Sequence, residues 1–238
     1  MEATILGTGS IYSKSNCASL IIDNNILIDL GPGVVKQLLK QDYNLKSIDT
    51  ILITHLHSDH ILDFPTLIVN IERLGIKHKI NIYSPSGTKD KFLNLLSLTY
   101  GNYFNDFANK YLNFIDIIDN KSFITNEYVF KAKKVIHTGI DSYGFIVNSK
   151  LGITGDSSLC DGVKEIFSES RTLICDCSLI KGDIYHMGID NIIELLKNHK
   201  EKKVILTHLR DSTKEFVQNM NLDNVSIVED GYKFILEE

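Results

Sequence analysis

Proline is scarce in this chain, with three in 238 residues, and cysteine nearly so, with four. No repeat, low-complexity stretch or linker-like run adds punctuation, so a single domain over 1–238 is expected. Cys17, Cys160, Cys175 and Cys177 are too few for a disulfide scaffold and fit a reducing compartment. Cys175 and Cys177 lie in an apolar stretch; on a strand they share one face, which predicts buried packing. No apolar run approaches the ~20 residues that cross a bilayer. The opening Met-Glu-Ala-Thr-Ile-Leu has neither a basic nor an apolar leader region, so a cytoplasmic location without membrane attachment is expected. Positive charge is not in excess either. A net charge of −5 argues against broad nucleic-acid binding.

What is present is ample apolar material. The apolar share is 43% and the charged share 23%, which excludes a disordered chain and suits one large α/β domain. Strand-like runs open the chain at Thr4–Leu6, Ser19–Asp23 and Ile26–Leu30; Gly31-Pro32-Gly33 closes them and leads into a helix at Val34–Lys40. A β-branched strand, Thr50–Thr54, ends at a cluster of histidines. Apolar spacing predicts a helix from Ile61 to Gly75, then a strand at Ile80–Tyr83 and a helix at Thr88–Tyr100. The second half repeats the alternation. Its strands are expected at 128–136, 143–148, 152–154, 172–176 and 203–206, its helices at 161–168, 190–199 and 212–221, and short closing strands at 226–228 and 232–236. Strand clusters broken by helices in both halves imply two central sheets with helices outside.

The decisive stretch is His55-Leu56-His57-Ser58-Asp59-His60. Imidazole nitrogen and carboxylate oxygen suit zinc and similar divalent ions. Four such groups follow a buried strand directly, where a rigid sheet fixes the start of the loop. By composition such a tetrad arises by chance on the order of once in a thousand chains. Further candidates close later strands: His137 after 129–136, Asp156 after Gly152-Ile153-Thr154-Gly155, and His208 after Val204–Thr207. His78 and His199 sit beside lysines and read as solvated.

The tetrad resembles the HxHxDH motif of the metallo-β-lactamase superfamily, and the resemblance extends over nearly the whole chain. Leu6-Gly7-Thr8-Gly9-Ser10, Ser15-Asn16-Cys17-Ala18-Ser19 and Thr154-Gly155-Asp156-Ser157 are similar to the tRNase Z branch. The resemblance implies an α/β fold, a four-layer αβ/βα sandwich with the site along one edge of the two sheets. It also implies two divalent metal ions, zinc first, with manganese or iron as alternatives. His55, His57 and His137 would hold one metal, Asp59, His60 and His208 the other, and Asp156 would bridge them. His186, in Tyr185-His186-Met187-Gly188, matches a histidine that this branch uses to contact phosphate and assist departure of the leaving group. Asp59 is a second catalytic candidate, orienting the attacking water, and Asp176 is a candidate support for His186.

Paired cations acidify a shared water and neutralise charge on reacting oxygens. Class B β-lactamases commonly place a cysteine ligand where Asp156 stands, which argues against antibiotic hydrolysis. tRNase Z enzymes usually insert a tRNA-gripping arm between the histidine and the bridging aspartate; His137 and Asp156 are 19 positions apart, too close to hold one. The first loop, Lys14-Ser15-Asn16, also lacks the arginine expected there. The first expectation is therefore a phosphodiesterase acting on a cyclic or short nucleotide-like phosphodiester. The alternatives are a tRNase Z-like ribonuclease acting on RNA, a thioester or lactone hydrolase, an iron redox protein and a non-catalytic metal-binding domain. A homodimer is expected from related enzymes. The aromatic segment around Tyr100, Tyr103, Phe104, Phe107, Tyr111 and Phe114 reads as core or dimer face, with a substrate wall or base-stacking surface as the alternative.

Overall fold

The computed structural model describes residues 1–237. In chain order the strands are β1 (Glu2–Gly7), β2 (Ser19–Ile22), β3 (Ile26–Ile28), β4 (Thr50–Leu52) and β5 (Ile80–Ser84). Next come β6 (Leu112–Asp116), β7 (Ser122–Thr125), β8 (Tyr128–Val135), β9 (Ser142–Val147) and β10 (Leu151–Ile153). The last are β11 (Thr172–Asp176), β12 (Lys203–Thr207), β13 (Val225–Ile227) and β14 (Tyr232–Ile235). The helices are α1 (Val34–Lys40), α2 (Ser58–Ile61), α3 (Phe64–Arg73) and α4 (Thr88–Tyr100), then α5 (Asn105–Tyr111), α6 (Asp161–Ser168), α7 (Ile189–Leu196) and α8 (Asp211–Gln218).

The chain forms two compact units. The first comprises Met1–Gly7, Asn16–Ile117 and Asp230–Glu237; the second comprises Thr8–Ser15 and Ile118–Glu229. Each is built on one mixed seven-stranded sheet. The first sheet runs β14-β1-β2-β3-β4-β5-β6 and the second β13-β12-β11-β10-β9-β8-β7. Antiparallel hairpins such as β2–β3 and β7–β8 fill one side of each sheet, and parallel strands joined by helices fill the other.

In the first unit α3 and α4 bury their apolar stripes. Phe64, Leu67, Ile68 and Ile71 of α3 join Phe92 and Leu96 of α4 in one core with Leu27, Ile51 and Ile82 of the sheet. Phe64 and Phe92 meet at 4.2 Å between ring centres, and Phe114 of β6 meets Phe92 edge-on at 5.9 Å. Three of the segment's aromatics are accordingly core: Phe104 is buried, and Phe107 and Phe114 pack against the same cluster. Tyr103, by contrast, is 75% exposed. In the second unit Cys175 and Cys177 lie fully buried in a core with Leu173, Leu206, Val163 and Ile192. Burial raises both thiols well above their usual range, which makes them inert packing groups.

The helix expected from Ile61 to Gly75 is α3, which starts later, at Phe64, while Ile61 closes the separate short α2. The chain breaks at Leu62-Asp63 because Asp63 has other partners: its amide donates to Leu30 O (2.9 Å) and its carboxylate accepts from Val35 N (2.9 Å). Pro65 then starts α3, where its missing N–H costs nothing. The sequence pattern also gave no sign of α5, β6 and β7. β6 pairs with β5 in parallel while half of its side chains remain at the surface, so its alternation is weak.

Candidate metal centre and active site

Both sheets place chemistry at the carboxyl ends of parallel strands, where loops leave a fixed scaffold and ligand sites gather in α/β folds. In the first unit β3 and β4 run in parallel register, Ile28 opposite Leu52. The chain leaving β3 delivers Asp29, and the chain leaving β4 delivers Thr54 and His55. His57 then caps α2, whose single turn carries Asp59 and His60. His55, Asp59 and His60 are buried. His55 Nε2 lies 3.1 Å from His57 Nδ1, the His55 and His60 rings are 4.0 Å apart, and His60 Nε2 is 3.9 Å from Asp59 Oδ2.

Asp29, absent from the sequence reading as a site residue, holds this group together. Its Oδ1 accepts from Thr54 N (2.8 Å), and its Oδ2 accepts from the Thr54 hydroxyl (2.7 Å) and from His60 Nδ1 (2.8 Å). The Thr54 hydroxyl in turn contacts His55 Nδ1 at 3.0 Å. One carboxylate therefore fixes the orientation of two imidazoles and turns their Nε2 atoms away from itself. Carboxylate support of this kind is what metal-binding histidines use. Asp29 adopts φ 58, a left-handed conformation that aspartate tolerates better than most residues. The available signal was its position as the lone acid in the apolar run Ile26–Leu30.

In the second unit β10, β11 and β12 are parallel, with Ile153 opposite Ile174 and Asp176 opposite Thr207. Their carboxyl ends bring Asp156, Asp176 and His208 to one edge, and His137 arrives from the end of β8. His208 Nε2 is 3.0 Å and His137 Nε2 3.9 Å from Asp156 Oδ2. His208 takes φ 55, a strained setting of the kind concentrated at functional positions. Gly155, at φ 60, supplies the turn that aims Asp156. His137 Nδ1 bonds the Tyr185 carbonyl at 2.9 Å, so Nε2 is the ring nitrogen that could ligate a metal. Burial holds His137 below the usual histidine range, outweighing the Tyr185 hydrogen bond and the Asp156 charge; this favours the neutral form that binds metals.

His186 lies among these residues. Its ring is 4.8 Å from that of His137 and stacks on His208 at 5.1 Å. Asp176, almost wholly buried, accepts from His186 Nδ1 at 2.9 Å and from Ser157 N and Ser178 N, and lies 3.6 Å from His208 Nδ1. The expected support of His186 by Asp176 is therefore present as a contact. Burial alone would lower the His186 pKa, but the Asp176 hydrogen bond and the Asp176 and Asp156 charges outweigh it, so the net shift is upward. Asp183, not singled out in the sequence, accepts from Tyr185 N (2.7 Å) and His186 N (2.8 Å) and fixes the loop that presents His186. His78 and His199 are exposed, as expected.

In both units the candidate donors are imidazoles and carboxylates, and Nδ1 of His55, His60, His137 and His186 is tied to an oxygen acceptor. That set suits divalent transition metals. From His137 to Asp156 the chain forms only a turn, β9 and β10, with no inserted arm.

Comparison with known proteins agrees. Ribonuclease Z of Staphylococcus epidermidis is 24% identical over 95% of this chain and 95% of its own. Ribonuclease Z of Pyrococcus horikoshii is 26% identical, over 91% of this chain and 89% of its own. Among solved structures, the short form of human tRNase Z superposes with a TM-score of 0.78 at 23% identity over 100% of both chains. A diphosphatase from the PhnP family gives 0.79 at 21% identity, covering 99% of this chain and 98% of its own. The two sheets and their helices thus form an α/β fold of metallo-β-lactamase type. The profile of the Anti-Pycsar protein Apyc1 family matches residues 1–234. The chain belongs to that family, within the tRNase Z-like branch of the metallo-β-lactamase superfamily.

Proposed function

We propose that this protein is a dinuclear metal-dependent phosphodiesterase that acts on a cyclic or short nucleotide-like phosphodiester. His55, His57 and His137 would hold one cation and Asp59, His60 and His208 the other, with Asp156 shared between them; zinc is the first choice of metal. When bound, the cations supply an acidified water and neutralise charge on the phosphoryl oxygens. The chain's own residues do the rest. Asp29 holds His60, and through Thr54 His55, in ligating orientation. Asp59 orients the attacking water. Asp176 holds His186 by Nδ1, so that Nε2 can contact the phosphate and pass a proton to the departing oxygen.

The observation that carries this reading is the Asp176–His186 pair standing beside Asp156 and His208. A metal cluster meant only for structure needs no oriented acid next to it. Ribonuclease Z relatives favour a second reading, cleavage of RNA, which the short His137–Asp156 connection disfavours because it lacks an RNA-gripping arm. No helix among the described residues is long and apolar enough to cross a membrane; residence in the cytoplasm and a homodimeric state belong to the same proposal. The test is turnover of bis(p-nitrophenyl) phosphate by zinc- and manganese-loaded protein, with Asp156→Ala as control. Metal-dependent cleavage abolished in the variant is the expected result. No cleavage by protein carrying two metals would move the reading to carbonyl substrates.

A further inference from the structure

One cation stands beside the His186 loop with no role in the reading so far. Arg210 follows His208 by two positions and caps α8. Its Nε donates to the Ser178 hydroxyl at 3.3 Å, and Ser178 N donates to the same Asp176 carboxylate that holds His186. Burial pushes the Asp183 carboxylate up, but the Tyr185 and His186 amides and the charges of His186 and Arg210 together bring it below its usual range. Arg210 is thus linked to the His186 loop through Ser178 and Asp176.

The guanidinium is clamped. Tyr12 covers one face, its ring centre 5.1 Å from Cζ. The loop that carries Tyr12 is tied to the chain around Arg210 on both flanks. Leu209 N donates to Thr8 O (3.0 Å), and Ser10 N to Leu209 O (3.0 Å). The Ser13 hydroxyl and Lys14 N both donate to Asp211 Oδ1, at 2.9 and 3.2 Å. Fixing both partners in this way lowers the entropy that a ligand must overcome to use them. Two surfaces remain open. Among the described residues no protein acceptor engages the terminal nitrogens of Arg210. Tyr12 is 75% exposed, so the ring face opposite the guanidinium is available.

An open donor fork beside an open aromatic face matches a planar ring that carries carbonyl or ring-nitrogen acceptors. We infer that Tyr12 and Arg210 form the subsite for the nucleobase of the substrate, with the base stacked on Tyr12 and its acceptors bonded by Arg210. This rests on the phosphodiesterase reading for its substrate class, but its test does not need turnover.

Equilibrium binding of a nucleoside 5′-monophosphate and of ribose 5-phosphate is measured calorimetrically on metal-loaded wild type, Tyr12→Ala, Arg210→Met and Arg210→Lys. Wild type should prefer the nucleotide. Tyr12→Ala and Arg210→Met should each weaken the nucleotide about tenfold, the scale of one lost stacking or bidentate contact, and by much more than they weaken ribose 5-phosphate. Arg210→Lys keeps the charge without the fork and should recover little. Tyr12 is a surface residue, so its variant reports even if Arg210→Met fails to fold. Equal losses on both ligands would assign Arg210 to the phosphate and overturn the base subsite, as would a wild type with no preference. If bis(p-nitrophenyl) phosphate is not cleaved while the preference and its losses hold, the activity fails and the subsite stands.

Discussion

Asp29 shows how much a single side chain can govern. It receives three hydrogen bonds, from Thr54 N, the Thr54 hydroxyl and His60 Nδ1, and asparagine offers one acceptor oxygen in place of two. Asp29→Asn should therefore lower metal affinity about 10- to 100-fold, the usual cost of losing a partner behind a metal-binding histidine. A competition titration against a chromogenic chelator measures this, with circular dichroism as the check on folding; unchanged affinity would remove Asp29 from the site. His186 makes the opposite prediction. Its partners are Asp176 and the neighbouring rings, and in the proposed scheme it is not a ligand. His186→Ala should keep full metal content by elemental analysis and lose about a hundredfold or more of its phosphodiester turnover, the range of a lost general acid. Full turnover in that variant would end the assignment.

At the scale of elements, α3 and α4 anchor the core of the first unit. Phe92 is fully buried and joins α4 to Phe64 of α3 and Phe114 of β6. The α3 end begins one residue after Asp63, whose carboxylate holds the start of α1. Phe92→Ala should cost about 3–5 kcal/mol, as large-to-small changes in a packed core do. Leu98 on the same helix is 84% exposed, so Leu98→Ala should change stability by less than about 0.5 kcal/mol. Urea denaturation of both variants tests the pair, and equal effects would contradict the packing. Close approach is equally strict at Gly31, where a Cβ would overlap the Asp59 carbonyl and the Cys17 side chain. These elements were legible to different degrees. α1, α4, α6 and β11 match their expected bounds: glycines flank α4, and β11 is an unbroken apolar run. α5, β6 and β7 were not legible, since an edge strand carries little alternation and aromatic crowding hides the local signal.

For the whole molecule, the donors rest on two seven-stranded sheets, each with its own apolar core. Chelation should leave the far-ultraviolet circular dichroism nearly unchanged while lowering Tm, since a ligand that binds the native state stabilises it by mass action. A protein that unfolds outright when stripped would overturn this. The sequence by itself determined the α/β class and the two sheets, and it singled out His55, His57, Asp59 and His60 as candidate ligands, because strand patterning and a dense cluster of ligating side chains are local signals; His137, Asp156 and His208 were candidates only through their places at strand ends and the family resemblance. Only the tertiary structure decided which groups orient those donors. Asp29 meets His60 across 31 positions of sequence, and Asp176, named from the sequence only as a support for His186, also takes the Ser157 and Ser178 amides. The stacking of Tyr12 on Arg210 was hidden for the same reason. Such pairings depend on strand register and on loops folding back over strand ends, and no spacing along the chain encodes them.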